Sequence, residues 1–105
     1  MKHSRMTALM DRIWKEIKVT RDAGQKEYAH DKDNVFGNFE RTGRDLDIEP
    51  MSVLWIFLKK HIDGITAYIK GHKSQREDVR GMIKDAIVYL MLLWAMIEKE
   101  ESDGK

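Results

Sequence analysis

AIVYLMLLWAMI, Ala86 to Ile97, is the longest apolar run of the chain, and its reading decides the fold. As a helix it would rise about 18 Å, well short of a hydrocarbon core of ~30 Å, so it reads as a buried helix and not as a membrane span. Its apolar side chains cover every face. A helix that is apolar all round needs neighbours on all sides. Two other long helices cannot supply them, so part of this helix is expected to pack against a second chain. The stripe Val79, Ile83, Ala86, Leu90, Leu93 and Ile97 reads as its core side, with Val88, Met91 and Ala95 as the side left to water or to a partner.

Working outward, Ser74-Gln75-Arg76-Glu77 has the form of a capping box, which would start this helix at 74 and carry it to about 99. A second long helix is expected over 50–71. Pro50 suits a first turn, Ile48 and Val53 stand at the two positions of a hydrophobic staple, and Gly71 is the stop. Leu54, Leu58, Ile65 and Ile69 form its stripe, with Phe57, Ile62 and Tyr68 beside it. A third, over about 6–28, has Met6, Met10, Ile13, Ile17, Gly24 and Tyr28 on one face, with Leu9 and Trp14 at its flanks. The crossover between the first two long helices is too long to be idle. Its centre, Asp33 to Arg41, reads as a short helix capped by Asp33. The expected fold is therefore all-α: one domain, an up-and-down bundle of three long helices plus one short helix in the 33–41 crossover, assembled as a dimer or larger oligomer through the last helix.

Composition narrows the chemistry. With 105 residues, 42% hydrophobic and 35% charged, the chain suits a single soluble domain. Nineteen basic against eighteen acidic side chains give a net charge of +1, which supplies no field to gather duplex nucleic acid or anionic lipid. The absence of cysteine excludes disulfides, thiolate zinc sites, iron–sulfur clusters and a cysteine nucleophile. MKHSRMTALMDRIWKE lacks the apolar core and cleavage site of a signal peptide, so a cytoplasmic location is expected. P-loop, GxGxxG, HExxH and nucleophile-elbow patterns are missing.

Three places gather residues that carry chemistry. EYAHDKDNVFGNFER, Glu27 to Arg41, brings Tyr28, His30, Asn34, Phe36, Asn38, Phe39 and Arg41 into one stretch. Asp31 and Asp33 there lack the spacing of a calcium loop. His61 lies amid Phe57, Leu58, Ile65 and Tyr68, and reads either as a neutral buried imidazole or as a group pointing into a pocket. Asp78 and Asp85 stand seven apart on one face, beside Met82 and Tyr89. Asp85 abuts the apolar run, where an unpaired carboxylate is costly, so it calls for an ion pair, with Lys59 or Lys60 as partner, or for a metal. Finally Lys70, His72, Lys73, Arg76 and Arg80 collect cations near the start of the last helix, where free amides and the helix dipole favour phosphate.

KEYAHDKDNVFGNFER (Lys26 to Arg41), VLWIFLKKHIDGITAYI (Val53 to Ile69) and REDVRGMIKDAIVYLMLLWAMI (Arg76 to Ile97) resemble segments of small uncharacterised proteins of tailed bacteriophages. More loosely, they are similar to MazG-like all-α nucleotide pyrophosphatases and to phage nucleotide-modification-associated domains. The resemblance implies an all-α fold, a nucleotide ligand and the cytoplasm of an infected bacterium. MazG-type enzymes hold magnesium through ExxE on one helix and ExxD on another. At the matching places this chain has Lys60, His61 and Asp63, then Glu77, Asp78 and Asp85 at other spacings; Glu16 and Glu27 are too far apart to complete one site. The expected function is therefore binding of a nucleotide or nucleotide-derived signal, without need of hydrolysis or a cofactor. Tyr28, Phe36 and Phe39 would wall in the base, Asn34 and Asn38 would read its edge, and Lys60, Lys73, Arg76 or Arg41 would hold phosphate. Two alternatives stand beside it: an interaction oligomer docking on a host or virion protein, and a magnesium-dependent pyrophosphatase using Asp78 and Asp85.

Overall fold

The computed structural model describes residues 1–29, 33–72 and 78–104, with only the backbone of Tyr28 and Ala29. Its elements are all helical: α1 (His3–Gly24), prolonged by a π-helical turn (Gln25–Ala29), α2 (Gly37–Leu46), α3 (Pro50–Ile69) and α4 (Val79–Asp103). Three long helices and one short one are thus present, and no described helix is long and apolar enough to cross a membrane.

Local sequence explains most boundaries. α3 starts at Pro50, whose fixed φ and missing N–H suit the first turn. It ends in a Schellman motif, in which Gly71 takes a φ of 100°, its N–H donates to the Tyr68 carbonyl and the His72 N–H donates to the Ala67 carbonyl. Asp47, with a φ of 57°, plays the same part after α2, and the Ile48 N–H donates to the Gly43 carbonyl. Gly43 has no substitute there, because a Cβ would stand 2.6 Å from the Ile48 carbonyl oxygen. At Gly24 the α-helix widens into the π turn, so the first helix continues to 29 but with an altered register.

Two starts differ from expectation. The short helix begins at Gly37, not at Asp33, because Asn34 takes over the turn: its side-chain oxygen accepts the Phe36 N–H at 3.0 Å, closing an Asx-type turn before the helix. α4 begins at Val79 with Asp78 as its N-cap, the carboxylate accepting the Arg80 N–H at 2.9 Å. The capping box at Ser74–Glu77 lies outside the described residues.

α4 is the central element. α3 runs antiparallel to it, as shown by Gly64 lying against Met82, His61 opposite Asp85 and Phe57 against Tyr89. α1 packs on another flank of α4, where Glu16 pairs with Lys84 at 3.4 Å, and α2 packs on α3 and on the π turn. Between α1 and α3 there is no direct packing. The main buried cluster joins Phe36, Phe39, Val53, Leu54 and Met96, and Ile17, Leu58, Ala86 and Val88 are buried outside it.

The apolar stripes are only partly covered. Of the α1 stripe, Ile17 is buried, whereas Met6 and Met10 are exposed, Met10 by 56%. On α3, Leu54 and Leu58 are buried but Ile62, Tyr68 and Ile69 are exposed; Val53 of the staple is buried and Ile48 is not. α4 departs most. Val88, assigned to the outer side, is buried, while Ile83, Leu90 and Ile97 of the supposed core stripe face outward. Its partners α1 and α3 meet other flanks of the helix, and an all-round apolar sequence does not say which flanks those are.

Candidate functional site

The space left between α1 and α3 is a cleft of about 770 Å³, floored by α4 and closed at one end by α2 and the π turn. Helical spacing builds its walls. Phe57, Lys60 and Lys60's neighbour His61 fall on one face of α3, and Asp85, Val88, Tyr89 and Leu92 on one face of α4. Val19, Thr20 and Ala23 of α1 form the opposite wall. The π turn contributes Gln25 and Glu27, and α2 contributes Asn38 and Phe39. Irregular π turns inside helices are frequent at functional sites. Here the Gln25 side-chain amide donates to the Asn34 carbonyl at 3.0 Å, which ties the turn to the start of α2.

An aromatic group lines the inner end. The rings of Phe39, Phe57 and Tyr89 stand 6.1–6.3 Å apart in tilted and edge-on arrangements, and the His61 imidazole lies 5.4 Å from the Tyr89 ring. His61 Nδ1 is 3.8 Å from Asp85 Oδ2. That is an ion pair when the imidazole is protonated and too long for a direct hydrogen bond. The His61 side chain keeps 17% of its surface exposed and Asp85 keeps 37%, so the pair faces the cleft and is not sealed in a core.

Charges around the cleft are mixed. Lys60 is exposed at the rim and makes no ion pair with the described residues. Arg21 donates to Gln25 Oε1 at 2.8 Å and lies 3.7 Å from the Asp22 carboxylate. Asn38 Oδ1 accepts from the Arg41 guanidinium at 3.4 Å.

Of the residues singled out in the sequence, the cleft brings together Asn38, Phe39, Lys60, His61 and Asp85. Phe36 is not a ligand wall but part of the buried core, and Asn34 shapes the turn, its amide donating to Glu40 Oε1 at 2.7 Å. Arg41 lies outside the cleft lining. His30, Lys73, Arg76 and the side chain of Tyr28 lie outside the described residues. Asp85 finds His61, not a lysine: Lys59 pairs with Asp63 on its own helix. Asp78 is occupied as the α4 cap. Its carboxyl is held below the ordinary value, first by the Arg80 backbone N–H and then by the Arg80 guanidinium. Among the described residues no three His, Asp or Glu side chains converge as a metal site requires.

Phe57, Tyr89, Arg21 and Gln25 also line the cleft without a binding role assigned from the sequence, and Glu27, weighed there only as a partner of Glu16 for magnesium, lines it as well. The usable signal was the facing pair of interruptions, Lys60-His61 within one apolar stripe and Asp85 before the other.

Fold and cleft together define a class, a small all-α protein with an open, aromatic-lined cleft across its central helix. Comparison of the chain with family models, with curated proteins and with solved structures finds no match.

Proposed function

We propose that this protein binds a nucleotide, or a nucleotide-derived signal, in the cleft between α1 and α3, and that it does so without hydrolysing it. The observation that carries the reading is the cleft itself. Its volume of about 770 Å³ falls within the ~300–1,000 Å³ range typical of small-molecule sites, and it combines an aromatic interior with polar groups at its rim. Tyr89 and Phe57 offer ring surface for a base, Asn38 offers an amide for its edge, and Lys60 offers an ammonium for phosphate. His61 is placed to accept or donate a hydrogen bond beside Tyr89. Magnesium-assisted phosphoanhydride cleavage takes several carboxylates converging on the ion, and among the described residues the cleft lining supplies Glu27 and Asp85. The looser similarity of the same segments to MazG-like and nucleotide-modification-associated proteins points to the same ligand class. The protein is further read as a homo-oligomer through α4, which leaves the cleft, on the side of α4 that faces α1, free for the ligand.

The test is a thermal-shift screen with nucleoside mono-, di- and triphosphates and cyclic dinucleotides, with and without magnesium. A true ligand at a hundredfold excess over Kd adds about 2.7 kcal/mol, which for a domain of this size raises Tm by roughly 10 °C or more. Lys60→Ala is expected to weaken a phosphorylated ligand about tenfold and leave the parent nucleoside unaffected, the loss of one exposed charge-assisted contact. No shift with any nucleotide overturns the proposal.

A further inference from the structure

Ile83, Ile87, Leu90, Trp94 and Ile97 repeat on α4 at alternating intervals of four and three residues, the spacing that lines one seam of a helix for a partner helix. None of the five lines the cleft. Ile83, Leu90, Trp94 and Ile97 are exposed, Leu90 by 50% and Trp94 by 69%, and Ile87 is half-buried. α3 adds Trp55, Ile62 and Ile69, seven residues apart and also exposed. On each helix this row lies about 130° in the same sense from the residues meeting the other helix. In an antiparallel pair that turns both rows to the same side, splayed apart and away from the cleft.

We infer that this α3/α4 face is the interface with a second copy of the chain, the two α4 helices pairing antiparallel about a two-fold axis at Leu90. Three observations select a second copy as the occupant. First, the area fits. The chain exposes 8236 Å², against about 6,100 Å² for a compact monomer of 12.4 kDa. A stable dimer removes ~800 Å² from each partner, so the excess covers it even with the open cleft taking a share.

Second, the seam is self-complementary. A two-fold at Leu90 sets Ile83 of one copy against Ile97 of the other, Ile87 beside Trp94, and Leu90 against itself, as an isologous contact demands. Third, charge selects the direction. The start of α4 is balanced, Asp78 and Asp85 against Arg80 and Lys84, whereas its end is acidic, with Glu98, Glu100, Glu101 and Asp103 against Lys99. Antiparallel pairing keeps the two acidic ends apart and opposes the helix dipoles; parallel pairing would put like charges together. The inference is independent of the ligand, since the cleft remains open on the other side.

Light scattering at about 50 µM should give a mass near 25 kDa, twice that of the chain. Leu90→Glu, which sets two carboxylates face to face on the axis, should halve that mass while leaving the helical circular dichroism unchanged. The chain has no cysteine, so orientation can be read by cross-linking. A mixture of Ile83→Cys and Ile97→Cys chains should form a disulfide-linked dimer on mild oxidation, whereas either variant alone and Ile56→Cys, on another face of α3, should not. A monomeric wild-type protein, a Leu90→Glu variant that stays dimeric, or self-linking of Ile83→Cys overturns the inference.

Discussion

At the scale of single residues, caps and turn positions explain where this chain bends. Gly71, Asp47 and Asp78 each satisfy backbone groups that a helix end leaves open. Asp78 has a measurable consequence. Its carboxyl is held below the ordinary value of 3.8 by the Arg80 N–H. The charged form is therefore favoured by folding, and that stabilisation is fully present above the ordinary carboxylate range and is lost as pH falls through the depressed value. Acid unfolding followed by circular dichroism should show a loss of stability below about pH 3.8 that is shallower in Asp78→Asn, which can still cap but cannot titrate. Pro50 and Gly71 were readable in the sequence because each has one conformational use at a helix end. The start of α4 was not, since Ser74-x-x-Glu77 and Asp78 both satisfy the rules for an N-cap.

At the scale of elements, the stripes identified apolar faces correctly but not which of them are covered. Periodicity reports what a helix can bury. Burial also requires a neighbour, and α1 has one over only part of its length. Leu54 and Met10 hold equivalent places in their stripes, yet Leu54 is fully buried and Met10 is not. Leu54→Ala is therefore expected to cost about 3 kcal/mol and to lower Tm by more than ~10 °C. Met10→Ala should fall within about 0.5 kcal/mol of wild type. Equal losses in a denaturant titration would show that α1 is packed as deeply as α3. The short helix was legible in the Asp33–Arg41 stretch, and the structure puts its Phe36 and Phe39 in the core; its start was displaced by the turn chemistry of Asn34.

At the scale of the whole molecule, α1 and α3 flank α4 without closing on each other. The radius of gyration of 15.7 Å exceeds the ~13 Å expected for a compact domain of this length. That openness creates both the cleft on one side of α4 and the bare seam on another. Part of the cleft lining was legible in the sequence: Lys60, His61 and Asp85 are polar groups set into apolar surroundings, and Asn38 and Phe39 belong to the stretch rich in ring and amide groups. The rest depended on which helices stand apart. Phe57 and Tyr89 were named only as neighbours of His61 and of Asp85, because nothing in their spacing records that α1 stands apart from α3.

The attachment of α1 has a consequence for amide exchange. Up to the π turn, α1 packs on α4 alone among the described elements, with Ile17 buried and Glu16 paired to Lys84, yet it supplies a whole wall of the cleft. Its N–H groups should trade hydrogen for deuterium long before those of α3, because opening α1 alone breaks few buried contacts. A molecule seated in the cleft would bridge α1 to the other helices. Slowed deuterium uptake across 19–24 would then record occupancy by the change in α1 alone, with the deeper helices as the unchanged reference.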